Sequence, residues 1–117
     1  MKKYSEFKLN LTPFDAAVLL TEIEELKELL VFQDYKLTEE QGNQISILVF
    51  ERYYFRTSSF TSLTVVFDNF EGETIMKCIS AGNGDGLFNF GLGSGKNFIK
   101  SIRSPLEDYI VEVIHED

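Results

Sequence analysis

The sequence predicts an α+β domain of two layers: an antiparallel sheet of about five strands with two helices packed on one face, in the order β-α-β-β-β-β-α. Three observations carry that expectation. Period-two runs rich in β-branched and aromatic residues recur, above all ISILVFERYYFR at 45–56 and SLTVVFD at 62–68. Two stripes of apolar residues at helical spacing stand near the two ends of the chain. A length of 117 residues suffices for one hydrophobic core but not for two, so residues 1–117 are read as one domain.

Residues 4–11 alternate, with Phe7, Leu9 and Leu11 on one side and Glu6, Lys8 and Asn10 on the other, which predicts a half-buried first strand. Thr12-Pro13-Phe14-Asp15 then starts a helix. Thr12 can cap it, Pro13 suits the first helical position because its missing N–H has no partner there anyway, and the Asp15 carboxylate sits in the favourable first turn. Leu19, Ile23, Leu26 and Leu30 follow as one stripe, with Glu22, Glu25 and Glu28 turned to water. Residues 32–38 read as a strand. Residues 39–43 form the turn into the central strand, because Gly42 and Asn43 tolerate left-handed backbone angles.

The central hairpin is the organising element. Alternation places Ile45, Ile47, Val49, Tyr53 and Phe55 on one face of its first strand and Leu48, Phe50, Arg52, Tyr54 and Arg56 on the other. In the second strand Leu63, Val65 and Phe67 point one way, and Ser62, Thr64, Val66 and Asp68 the other. Grouping the row of Ile47 with that of Val65 predicts an apolar inner face. The face of Phe50, Arg52, Tyr54 and Arg56 is then the outer one. Glu51 falls among the apolar inner row, so a bulge that re-aims it, or burial beside a cation, is expected there.

Thr57-Ser58-Ser59 links the two central strands, 69–73 with Gly72 makes the next turn, and 74–81 is a further strand. A glycine-rich segment, AGNGDGLFNFGLGSGK, follows at 81–96, with a possible short strand at 87–90. From Ser94 the residues Phe98, Ile102, Leu106, Tyr109 and Val113 keep helical spacing to the end of the chain. Pro105 inserts a kink or restart at Ser104-Pro105-Leu106-Glu107.

The formal charge of −8 is spread along the chain without a basic stripe, which argues against nucleic-acid binding through phosphate neutralisation. No apolar run has the length of a membrane span, and the N-terminus carries no signal-peptide pattern. One cysteine, Cys78, precludes an internal disulfide and fits a reducing cytoplasm.

Motifs that carry chemistry are few. Gly82, Gly84 and Gly86 are loop candidates, because backbone N–H groups free of side chains can cradle anions. Yet their spacing is not the dinucleotide-binding fingerprint, and Gly95-Lys96 lacks the spacing and the hydroxyl residue of a P-loop. Glycines serving tight turns are the simpler expectation. Asp85 stands without the further carboxylates of a calcium loop. One histidine, His115, is expected at the surface near a helix end, and Cys78 as a small packed side chain. No metal, no cofactor and no set of nucleophile, base and orienter is indicated, so the balance is against an enzyme.

At FERYYFRTSSFTSLTVV and again at ISAGNGDGLFNFGLGSGKNF the chain resembles a family of short bacterial proteins of unknown function, over nearly its whole length. The resemblance implies a cytoplasmic single-domain protein and supplies no catalytic residues. In its order of elements the chain also resembles the folds grouped as TATA-binding-protein-like or helix-grip, a likeness of fold only.

The expected function is an interaction module. An aromatic outer face containing Phe50, Arg52, Tyr54 and Arg56 has the composition of a protein interface, which predicts a homodimer through the sheet. The alternative is a small anionic or aromatic ligand held in a sheet–helix cleft, with the arginines as bidentate donors.

Overall fold

The computed structural model describes residues 2–40, 42–55, 58–82 and 98–117. In chain order these form β1 (Lys2–Leu9), α1 (Pro13–Thr21), α2 (Glu24–Lys27), β2 (Leu30–Leu37), β3 (Gln44–Tyr54), β4 (Ser59–Asp68) and β5 (Thr74–Gly82). Helix α3 (98–103), a 3-10 helix (Ser104–Tyr109) and β6 (Ile110–Glu116) complete the chain. All strand pairs are antiparallel, in the order β2-β3-β4-β5-β1-β6. The α+β class and the antiparallel sheet are as expected. The described residues hold six strands rather than about five, and the helical cover comes in more and shorter pieces than two helices.

The start of α1 follows the sequence reading. The Asp15 N–H donates to Thr12 Oγ1 at 3.1 Å, and Pro13 occupies the first turn. The single long stripe does not persist. Helix α1 stops at Thr21, whose hydroxyl bonds back to the Val18 carbonyl at 3.1 Å and loosens the last turn. Ile23 is extended, α2 adds one turn that buries Leu26, and Leu30 already belongs to β2. Glycines do their turn work where expected: Gly42 at φ 66° and Gly72 at φ 100° take angles that other residues rarely adopt.

The C-terminal expectation is corrected. The helical stripe holds through Phe98, Ile102 and Leu106, all fully buried. From Ser104, with Pro105 in its first turn, the chain tightens to a 3-10 helix and then extends as β6. Ile110, Val111, Val113 and Ile114 are β-branched and pay more in a helix than in a strand, and the outer edge of β1 offers them a ladder. Tyr109 therefore ends the 3-10 helix, Val113 lies in β6, and His115 lies on an edge strand rather than at a helix end.

One core sits between the sheet and the helices. From the sheet come Phe7, Leu48, Phe50, Leu63, Val65, Phe67, Met76 and Cys78, and from the helices Ala16, Ala17, Leu20, Leu26, Phe98, Ile102 and Leu106. Ser46 also lies on this covered face, where its hydroxyl donates to the Pro13 carbonyl at 3.2 Å and ties β3 to the start of α1. Nearby, the Phe14 N–H donates to Gln44 Oε1 at 3.0 Å, and the Gln44 N–H to Asn69 Oδ1 at 2.7 Å.

Candidate functional site

The second face of the sheet carries no helix among the described residues. Alternation and register build it in rungs that cross the strands. One rung runs Phe32–Val49–Thr64–Ile79–Tyr4, and the next runs Asp34–Ile47–Val66–Lys77–Glu6. Beside the first stand Glu51, Ser62 and Ala81, and beyond them Tyr53 and Phe60. Phe60 is 48 % exposed, Phe32 53 % and Tyr53 44 %. Tyr53 meets Phe55 and Phe60 edge-on, with ring centroids 5.1 and 5.4 Å apart, so the aromatic end of the face is an ordered cluster. Glu51, Phe60, Ser62, Ala81 and Gly82 line a shallow hollow there.

This arrangement reverses the expected faces of β3. Leu48 stands opposite Val65 and Phe50 opposite Leu63, so both are on the helix side, while Ile47 pairs with Val66 on the open side. Phe50 is fully buried and cannot be an interface residue in the folded chain. Arg52 is half-buried on the same side, its guanidinium 5.2 Å above the Phe98 ring. Tyr54 ends β3; its side chain, like Arg56, lies outside the described residues. The physical reason is that β3 is apolar on both faces, so its own alternation cannot choose. Its partner chooses: the fully apolar row of β4 must meet the helices.

The same reversal disposes of the Glu51 puzzle. The β3–β4 register runs without a shift, so no bulge is present at Glu51, which is exposed because its whole row is open. The irregularity sits instead in β2, where the register shifts between Leu30 and Phe32; Val31 is the extra residue. It lets Leu30 pack against the core while Phe32 turns to the open face.

Of the loop candidates, Gly82 closes β5 opposite Thr61, and Gly84 and Gly86 lie outside the described residues, as does the possible strand at 87–90. Cys78 is fully buried, and burial pushes its thiol up to about 12. His115 pairs in register with Glu6 on the open side, stacks at 5.5 Å on Tyr4 and contacts Asp117 Oδ1 at 2.8 Å. The one cysteine and the one histidine thus sit on opposite faces of the sheet. Among the described residues no group of three or more His, Cys, Asp or Glu side chains is placed to hold a metal. No helix among them is long and apolar enough to cross a membrane.

Electrostatic detail concentrates where β1 meets β6. Burial and a hydrogen bond to Glu6 push the Tyr4 hydroxyl up to about 12. Lys8 bridges Glu73 at 2.8 Å and Glu112 at 3.3 Å. The Asp117 carboxyl is held below its ordinary range, first by the backbone N–H of Tyr4, which donates to it at 2.7 Å, and then by His115. Sequence reasoning missed this corner because the helical stripe it followed from Phe98 runs on to Val113, inside β6.

No curated protein matches the chain. Residues 15–110, which span α1 to the start of β6, match the model of the Family of unknown function (DUF6054), and the chain belongs to that family.

Proposed function

We propose that this chain is a small, non-enzymatic interaction module whose open sheet face binds a second copy of itself. The observation that carries the reading is the apolar band of Phe32, Val49, Ile79, Ile47 and Val66, uncovered by any helix among the described residues and ending in the Tyr53–Phe60 aromatic cluster. Monomers seldom leave such a band in water. Size supports it as well. Six strands about 4.8 Å apart, rising about 3.3 Å per residue, make a face of the order of the ~800 Å² that each partner gives to a standard interface.

Charge favours a second copy as the occupant. With a two-fold axis parallel to the strands and between β3 and β4, each rung meets its own reverse. Asp34 then faces Lys77 of the other copy, Ile47 faces Val66 and Phe32 faces Ile79. Apolar meets apolar and acid meets base, with the strands aligned as in a sandwich. Light scattering on charge-reversed proteins tests this. Asp34→Lys and Lys77→Asp each weaken the dimer, and the two together restore it; a wild-type monomer at all concentrations contradicts the reading.

We read the protein further as cytoplasmic and bacterial, a reading supported by the single, fully buried cysteine and by the family resemblance. We group its fold with the TATA-binding-protein-like and helix-grip arrangements. The order β1-α1-α2-β2-β3-β4-β5-α3 supports this, with β6 an addition at the β1 edge.

A further inference from the structure

On the helix side, between β1, β6 and α3, lies a cleft of about 320 Å³, at the lower end of the volumes that hold small molecules. Among the described residues three cations line it, Lys3, Lys100 and Arg103, in a chain whose acidic residues outnumber its basic ones. Two carboxylates line it too, and both are engaged. Glu116 pairs with Arg103, and Asp117 with the Tyr4 N–H and His115. Arg103 is fixed on further sides by Glu107 at 3.2 Å and by the Phe7 ring at 5.1 Å. Lys3 and Lys100, by contrast, make no ion pair among the described residues; Lys3 adds only a weak attraction for Asp117. Ser5, 1 % exposed, also lines the cleft, and its hydroxyl makes no hydrogen bond among the described residues.

The Ser5 hydroxyl at the cleft wall can donate to a ligand acceptor. Two ammonium groups that make no ion pair among the described residues select the sign of that ligand. We infer that this cleft binds a small oxyanion, a phosphate- or carboxylate-bearing molecule. Lys3 and Lys100 supply the charge, the Ser5 hydroxyl donates, and Arg103 forms the fixed wall. A metal ion is disfavoured because the carboxylates that could ligate it are already paired with cations or N–H groups. The site lies on the opposite side of the sheet from the open face, so it stands or falls apart from self-association. Arg52, near which the sequence suggested an anionic ligand, is not among the residues that line the cleft.

The test is an amide NMR titration of the full chain at neutral pH and constant ionic strength, with inorganic phosphate, succinate and, as control, chloride. Saturable shifts confined to Lys3, Ser5, Lys100, Arg103 and their neighbours are expected with phosphate or succinate, and whichever saturates identifies the source of the oxyanion. Combined Lys3→Ala and Lys100→Ala weakens that binding by about tenfold or more, the loss of two charge-assisted contacts. Lys100→Ala alone, at an exposed helix position, keeps the test readable if the pair disturbs β1. Shifts that rise alike with every anion without saturating, or substituted proteins that titrate like the parent, overturn the inference.

Discussion

On β3, Leu48 and Phe50 are fully buried against the helices, while Ile47 and Val49, one residue away, stay partly open on the other side. The two rows are nearly equal in apolar character, yet one is core and the other is surface. Company makes the difference. Leu63, Val65 and Phe67 accompany the first row, whereas Thr64, Ser62, Lys77 and Asp34 accompany the second. A strand with two apolar faces in a sheet with one helical layer has one face left over, and that surplus is the feature that points to a partner.

The sharpest way to break this comparison is to place the same charge on adjacent residues. Leu48→Asp puts a carboxylate in the core without a partner and costs about 4 kcal/mol or more, enough to unfold a chain of ordinary stability. Val49→Asp leaves urea unfolding of the monomer nearly unchanged. Equal losses would mean that both faces are covered. Phe50→Ala follows at about 3–5 kcal/mol, the cost of a buried aromatic cavity.

How much of this was legible in the sequence depends on whether one strand or two had to be read. The Thr12 cap, the turns at Gly42 and Gly72, the alternation of β1 and the packing of Cys78 are local matters, and local chemistry predicts them. The facing of β3 is not local, because it depends on which β4 residue stands opposite, and that single choice moved Phe50 and Arg52 from the candidate interface to the helix side. The same holds at the C-terminus. Phe98, Ile102 and Leu106 keep helical spacing, and Tyr109 and Val113 continue it by coincidence, while the β-branched run 110–114 and the free edge of β1 favour a strand. The cation-lined cleft was invisible for the same reason, since Lys3 and Lys100 are brought together only by the fold.

Smaller effects sharpen the account of the covered face. Thr61 Oγ1 is buried there without a hydrogen bond among the described residues, so Thr61→Val, which keeps the shape and removes the hydroxyl, stabilises by about 1 kcal/mol in denaturant melts. Cys78 resists a thiol reagent in the native state and reacts on unfolding. Its folded thiol keeps its proton up to about 12, whereas its ordinary value is 9.0. Its contribution to stability is thus complete below pH 9.0 and is lost as pH rises from there towards about 12. Arg52→Ala, which removes one cation–π contact, costs about 0.5–1 kcal/mol and leaves the native mass unchanged.

The central claim, that the open face binds a second copy, is tested most directly by native mass from light scattering across a dilution series, for the wild type beside Val49→Asp. The account predicts a wild-type mass of twice the 13.4 kDa chain that falls to one chain in the variant, with both proteins folded. A wild type that is monomeric throughout, or a Val49→Asp protein that remains a dimer, would contradict it.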